Sequence, residues 1–294
     1  MVRNRLIYLI LLPGFLYYIV FQYVPMYGAL IAFKDFQPFL GFQGSEWVGM
    51  KHFERFFGNP DFWMLLKNTS ILAVLGIFFS FPLPVVLSML LNELRSELYK
   101  RFIQTMIYVP HFVSWVVVVG IVYMFLTTEG GFINELLAKF GFEKINFLLS
   151  ESWFRPLIVL EVNWKETGWG TIIFLAALAG VDPNLYEAAR IDGANRLRLM
   201  WHITLPAIRS TFIILLILRM GDFLNTGFEQ IWLMLNPMNR PVGEVFDTYV
   251  YVLGIQGGQF SYTTAVGLFK SVVGLVLVFG ANYLARKFGE EGVF

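Results

Sequence analysis

Cysteine is missing from all 294 residues, which excludes disulfide staples, thiolate metal sites and a cysteine nucleophile. Charge is scarce as well. Asp, Glu, Lys and Arg make up 15% of the chain, and a formal net charge of +1 removes the case for a strongly basic nucleic-acid binder. No low-complexity tract and no internal repeat is visible, so the chain reads as one membrane domain over 1–294. No G-x-x-x-x-G-K-[ST] loop occurs, so any nucleotide must be bound by another subunit. What is abundant is apolar: 57% hydrophobic, 18% aromatic and a mean hydropathy of +0.62. One soluble domain cannot bury that much apolar surface, and lipid must cover the remainder.

A helix needs about 20 mostly apolar residues to cross a bilayer, because backbone groups cannot be left unpaired in hydrocarbon. Runs at 6–33, 68–92 and 102–128 qualify without a single Asp, Glu, Lys or Arg. Three more qualify with interruptions: 157–181 carries Glu161, Lys165 and Glu166; 203–235 carries Arg209, Arg219, Asp222 and Glu229; 262–285 carries Lys270. The expected fold class is therefore an all-α integral membrane protein with about six transmembrane helices and both termini on one side. Arg3 and Arg5 ahead of the first run suit a secretory signal, but the run is too long and no small-x-small cleavage site precedes Lys34.

Basic residues favour the cytoplasmic side of short loops. With the N-terminus inside, the inner segments hold Arg3, Arg5, Arg95, Lys100, Arg101, Arg190, Arg196, Arg198, Arg209, Arg286 and Lys287. The longer outer loops hold fewer: Lys34, Lys51, Arg55, Lys67, Lys139, Lys144, Arg155 and Arg240. Both termini are predicted to be cytoplasmic.

The inner segment VDPNLYEAARIDGANRLRLMWHITLP, 181–206, describes two short helices meeting at a turn. Asp182 caps the first, Pro183 suits its first position and Gly193 supplies a stop. Leu185, Ala188 and Ala189 give a small apolar patch beside Glu187, and Pro206 is read as marking the start of the fifth span. Local chemistry leaves two readings open, a loop lying on lipid headgroups or a helix that docks on a partner.

The same segment carries E-A-A, three residues, G, nine residues, then I-x-L-P. Glu187, Ala188, Ala189, Gly193, Ile203, Leu205 and Pro206 fill every fixed position. In this the chain resembles the permease subunits of binding-protein-dependent ABC importers, of the type I, maltose-type family. The segments FQYVPMYGALIAFKDF, FPLPVVLSMLLNELRSELYKR, YVPHFVSWVVVVGIVY, GWGTIIFLAALAGVDPNLYEAARIDGAN and YTTAVGLFKSVV extend the resemblance over nearly the whole chain, toward permeases for complex oligosaccharides and polysaccharide fragments. The resemblance implies a cytoplasmic coupling helix between spans four and five that sits in a groove of an ATPase subunit. Leu185, Tyr186, Glu187, Ala188, Ala189, Asp192 and Gly193 would plug into that partner, with Ile203, Leu205 and Pro206 completing the loop. It also implies two ATPase subunits holding ATP and Mg, no cofactor on this chain, a second and homologous but non-identical permease subunit, an extracytoplasmic solute-binding protein, a carbohydrate substrate and a bacterial cytoplasmic membrane.

A charge near the bilayer centre costs about 2.5 to 3.5 kcal/mol on insertion scales, so the charges in spans four to six should face protein or water. Glu161 and Lys165 are expected to pair on one helical turn, with Trp164 and Trp169 nearby. Arg219, Asp222 and Asn225, spaced by three, are expected along one helical stripe. Such groups can line a path in which amides and charges bond sugar hydroxyls while tryptophan faces stack on pyranose rings, or they can neutralise one another between packed helices. His111 after Pro110 reads as a helix-bend feature rather than a proton relay, and His52 and His202 have no partners at metal spacing. The outer loops 34–67, 129–155 and 236–261, rich in Gly, Pro and aromatics, read as ordered caps that either dock a binding protein or only shield helix ends.

Competing readings are an ion-coupled secondary transporter, which favours two related halves that the chain lacks, an ABC permease for a non-sugar substrate, and a membrane glycan enzyme, for which no paired carboxylates stand out.

Overall fold

The computed structural model describes residues 5–290, 292 and 293. Arg3, counted above with the inner segments, lies outside them. Helices Tyr8–Phe33, Phe62–Asn92 and Phe260–Lys287 are each long and apolar enough to cross a membrane unaided. Three bent pairs meet the same test together: Glu97–Phe112 with Trp115–Leu126, turning by 98°; Glu151–Ala179 with Pro183–Ile191, turning by 75°; and Arg196–Ala207 with Arg209–Gly221, turning by 56°.

The breaks have local causes. Pro110 cannot continue the ladder and the chain goes extended at Val113, after which the Ser114 hydroxyl caps the new helix on Val117 N–H. Gly180 and Asp182 end and restart the helix before Pro183. In the fifth run the hydropathy is continuous to Leu235, yet the helix stops at Gly221. Asp222 to Thr226 form a turn, and Gly227, at φ +89°, opens the short helix Phe228–Met234.

Pro206 does not start a helix, contrary to the expectation from sequence. It sits near the end of Arg196–Ala207, directly after a π-helical turn at Met200–Thr204 whose bond runs from Leu205 N–H to the Met200 carbonyl. The wider turns at Ile19–Tyr23 and Gly76–Ser80 likewise end two residues before a proline, Pro25 and Pro82. A proline ring displaces the carbonyl four residues back, and a π turn accommodates that displacement without ending the helix.

The chain divides into two compact units. The smaller comprises Met1–Phe62 with Tyr249–Val272. Its centre is an aromatic cluster in which Phe56 meets Phe62 and Phe269 edge-on. Tyr249 and Tyr262 share a hydroxyl hydrogen bond of 2.9 Å, and the Asn59 amide donates to both. Burial and the Tyr262 hydroxyl push the Tyr249 phenol well above its ordinary value. A two-residue ribbon pairs Lys34 with Trp47 and Asp35 with Glu46.

The larger unit comprises Trp63–Thr248 with Val273–Phe294. One cluster packs Phe154, Leu157 and Ile158 on Ile231, Met234 and Val245; another packs Val85 and Met89 on Phe174, Leu178 and Ile208. Its connecting loops are tied down by side chains. Asn134, fully buried, donates to the Leu126, Thr127 and Ile145 carbonyls and accepts from Ile145 N–H. Asn68 donates to the Pro241 and Glu244 carbonyls and accepts from Arg155. Lys144 bonds Glu135 and holds its carboxyl below the ordinary carboxylate range.

Candidate functional site

Two sites emerge from the larger unit. The first is the helix pair between spans four and five. Asp182 Oδ1 accepts from Asn184 N–H at 2.9 Å, and Asn195 Oδ1 accepts from Arg198 N–H at 2.9 Å, so each helix is capped by its own flanking residue. Between them Gly193 takes φ +80°, a conformation that strains a residue with a Cβ, while Gly193 N–H bonds the Arg190 carbonyl and Ala194 N–H the Ala189 carbonyl. The result is a rigid corner.

Leu185, Glu187, Ala188, Asp192 and Gly193 are exposed on it, and Ala189 is half-buried. Ile191, with 86% of its surface exposed, presents a large apolar side chain that the sequence reading passed over. Tyr186 faces inward. Its hydroxyl meets Thr204 Oγ1 at 3.1 Å, and Thr204 is fully buried in the π-helical turn. Ile203 and Leu205 are half-buried on either side of Thr204, and Pro206 is exposed. A groove of about 750 Å³ separates the face carrying Tyr186, Glu187 and Arg190 from residues 92–95, with Glu93 and Arg95 on its far wall. The second site lies along the helix Glu151–Ala179. Glu161 and Lys165 are both buried there but do not pair with each other, which corrects the expectation. Glu161 Oε2 accepts from Gln230 at 2.7 Å, and Gln230 also donates to the Ile158 carbonyl. Lys165 donates to the His111 backbone carbonyl, which the bend after Pro110 leaves outside the helical ladder, and it lies 3.6 Å from Glu166. Glu166 in turn bonds His111 Nδ1 at 2.8 Å. The His111 ring stacks on Trp169 at 4.4 Å, so the bend residue is also part of a polar cluster. Trp169 and Trp164 are each about half exposed.

Arg219, Asp222 and Asn225 converge, though not as a helical stripe. Arg219 is in the last turn of its helix and the other two follow in the turn beyond Gly221. Together with Gly76, Ser80 and Thr226 they line a cavity of about 40 Å³. Asn225 Nδ2 donates to Asp222 Oδ1 at 3.1 Å. Ser80 Oγ, Thr226 Oγ1, Glu161 Oε1 and Asn163 Oδ1 are buried without a hydrogen-bond partner. His52 and His202 bond backbone carbonyls of Lys34 and Arg198.

Residues 73–290 match the family model of the binding-protein-dependent transport system inner membrane component. The chain belongs to that family. Among its relatives, the polygalacturonan/rhamnogalacturonan transport system permease protein YteP of Bacillus subtilis (strain 168) is 59% identical over 294 residues, covering 100% of this chain and 92% of the relative. Protein LplB of the same organism is 61% identical over 292 residues, covering 99% and 92%. A chain of a bacterial alginate ABC transporter, crystallised in complex with an alginate pentasaccharide-bound periplasmic protein, superposes with a TM-score of 0.89 at 38% identity, covering 99% of this chain and 97% of that one. Membership sets aside the secondary transporter and the glycan enzyme. The all-α fold, with a short helix pair between the fourth and fifth spans, is that of an ABC importer permease.

Proposed function

We propose that this chain forms half of the pore of a carbohydrate importer in a bacterial cytoplasmic membrane, and that Pro183–Ile191 is its coupling helix, seated on the cytoplasmic side in a groove of a separate ATPase. The substrate is an oligosaccharide or polysaccharide fragment delivered by a solute-binding protein. The energy comes from ATP and Mg held by two ATPase subunits, and a second, homologous permease subunit completes the path. Both termini are cytoplasmic on this reading, in line with the basic residues of the inner segments.

One observation carries it. A helix capped at both ends leaves Leu185 and Ile191 exposed, while Tyr186 fixes its other face to buried Thr204 at the base of the fifth span. That arrangement suits a part that is gripped from outside and moves its span as a rigid body. The relatives' polygalacturonan and alginate substrates support the carbohydrate class.

The chain has no cysteine, so Leu185→Cys is a unique label. In the complete transporter it is expected to crosslink to the ATPase subunit and to react with thiol reagents from the cytoplasmic side only. Glu187→Lys and Gly193→Pro are expected to cut coupled uptake about tenfold or more while the protein stays in the membrane and ATP hydrolysis continues. Crosslinks that never reach the ATPase, or full uptake by both variants, overturn the assignment.

A further inference from the structure

The 40 Å³ cavity at the end of the fifth-span helix has a chemistry that glycan transport in general does not require. A pyranose ring does not fit in it; a carboxylate or one or two hydroxyl groups do. Arg219 has no carboxylate within ion-pair distance among the described residues, although Asp222 lines the same cavity. The guanidinium lies beside Gly76: a Cβ built there would be in ordinary contact with Arg219 Nη2, at 3.5 Å. Ser80 Oγ and Thr226 Oγ1, also on the lining, are buried without a partner. A charged fork, two idle hydroxyls and the Asn225 amide are donors, and Asp222 is an acceptor.

We infer that this cavity is a subsite for the carboxylate of a uronic acid unit, with Arg219 the residue that selects acidic glycans. The guanidinium takes the carboxylate in a forked pair, Ser80 and Thr226 add hydroxyl donors, and Asp222 accepts the hydroxyl on the neighbouring ring carbon. A neutral hexose leaves the exposed guanidinium without an anion and offers the buried Ser80 and Thr226 hydroxyls no carboxylate to bond, and buried donors left unmatched are what make such a site discriminate. Gly76 and Ser80, the first and last residues of the π-helical turn Gly76–Ser80, both line this wall. The inference rests on the reading of the chain as a glycan path.

The test uses the whole transporter in proteoliposomes, with its binding protein and ATPase, and two probes: an oligogalacturonate of three to five units and the same oligomer with its carboxyl groups reduced to hydroxymethyl. Arg219→Gln is expected to lower uronide uptake about tenfold or more, leaving ATP hydrolysis stimulated by the loaded binding protein within about twofold. Arg219→Lys keeps the charge without the fork and falls between the two. Ser80→Ala, which removes one donor and no charge, lowers uronide uptake about threefold, and it serves if Arg219→Gln does not assemble. Uptake of the reduced oligomer is expected to be slow in the wild type and unchanged by Arg219→Gln. Wild-type uronide uptake in both Arg219→Gln and Ser80→Ala overturns the subsite, as does an equal loss of uptake for both probes. A wild-type transporter that moves neither probe, nor any other glycan its binding protein holds, overturns the glycan reading itself and not only the subsite.

Discussion

At the scale of single residues, polar side chains in this protein divide by the range of their partners. Asp182, Asn195 and Gly193 act within three residues of their own position, so their roles as caps and stop follow from chain order alone. Tyr186 acts across 18 residues, on Thr204. Tyr186→Phe removes the hydroxyl and keeps the ring. It is expected to reduce sugar moved per ATP hydrolysed about two- to tenfold in proteoliposomes, with ATP hydrolysis itself retained. An unchanged ratio makes the hydroxyl contact incidental. The same division explains what the sequence left hidden. Glu161 and Lys165 satisfy the helical pairing rule, yet the amide of Gln230, 69 residues away, and a carbonyl freed at the Pro110 bend outcompete it. No spacing marks Gln230 or Glu166 as members of a cluster, because Glu161 and His111, the side chains they bond, belong to other elements. In the signature loop the Asp182 cap and the Gly193 stop were legible from chain order, whereas the exposure of Ile191 and the place of Pro206 near a helix end were not, and the polar cluster was legible only as a set of charges needing partners.

At the scale of elements, hydropathy located six runs but not where the helices break. The third run turns by 98° at 112–115, and the fifth stops at Gly221 although apolar residues continue. Transfer free energy is blind to backbone conformation, so a proline or a left-handed glycine inside an apolar run leaves the hydropathy signal intact. Close approach of elements was equally invisible. Gly168, on the fourth-span helix, faces the Ile107 carbonyl so closely that a Cβ would overlap it, and Gly274 stands in the same relation to the Gly221 carbonyl. Gly168→Ala is expected to cost about 2 kcal/mol through forced separation of the two helices, seen as a lower midpoint in thermal unfolding of the detergent-purified protein. A midpoint equal to the wild type shows that the helices are not in contact there.

At the scale of the whole molecule, the chain is a path without a motor. It carries no phosphate-cradling loop, and its relatives belong to multi-component importers. Purified by itself it is expected to hydrolyse no ATP above a protein-free control in a phosphate-release assay, and turnover that survives removal of contaminating ATPases contradicts this. Residues Tyr8 to Gly28 of the first helix are all exposed, so the rest of the chain does not shield them. The loops, by contrast, are fastened by Asn68, Asn134 and Arg155, which leaves the helix breaks as the places where motion can be taken up. The widened turn at Met200–Thr204 is one of these. It holds one surplus residue just where Tyr186 grips Thr204. Rewinding it with the usual 3.6-residue pitch would advance the phase of all that follows by about 100°.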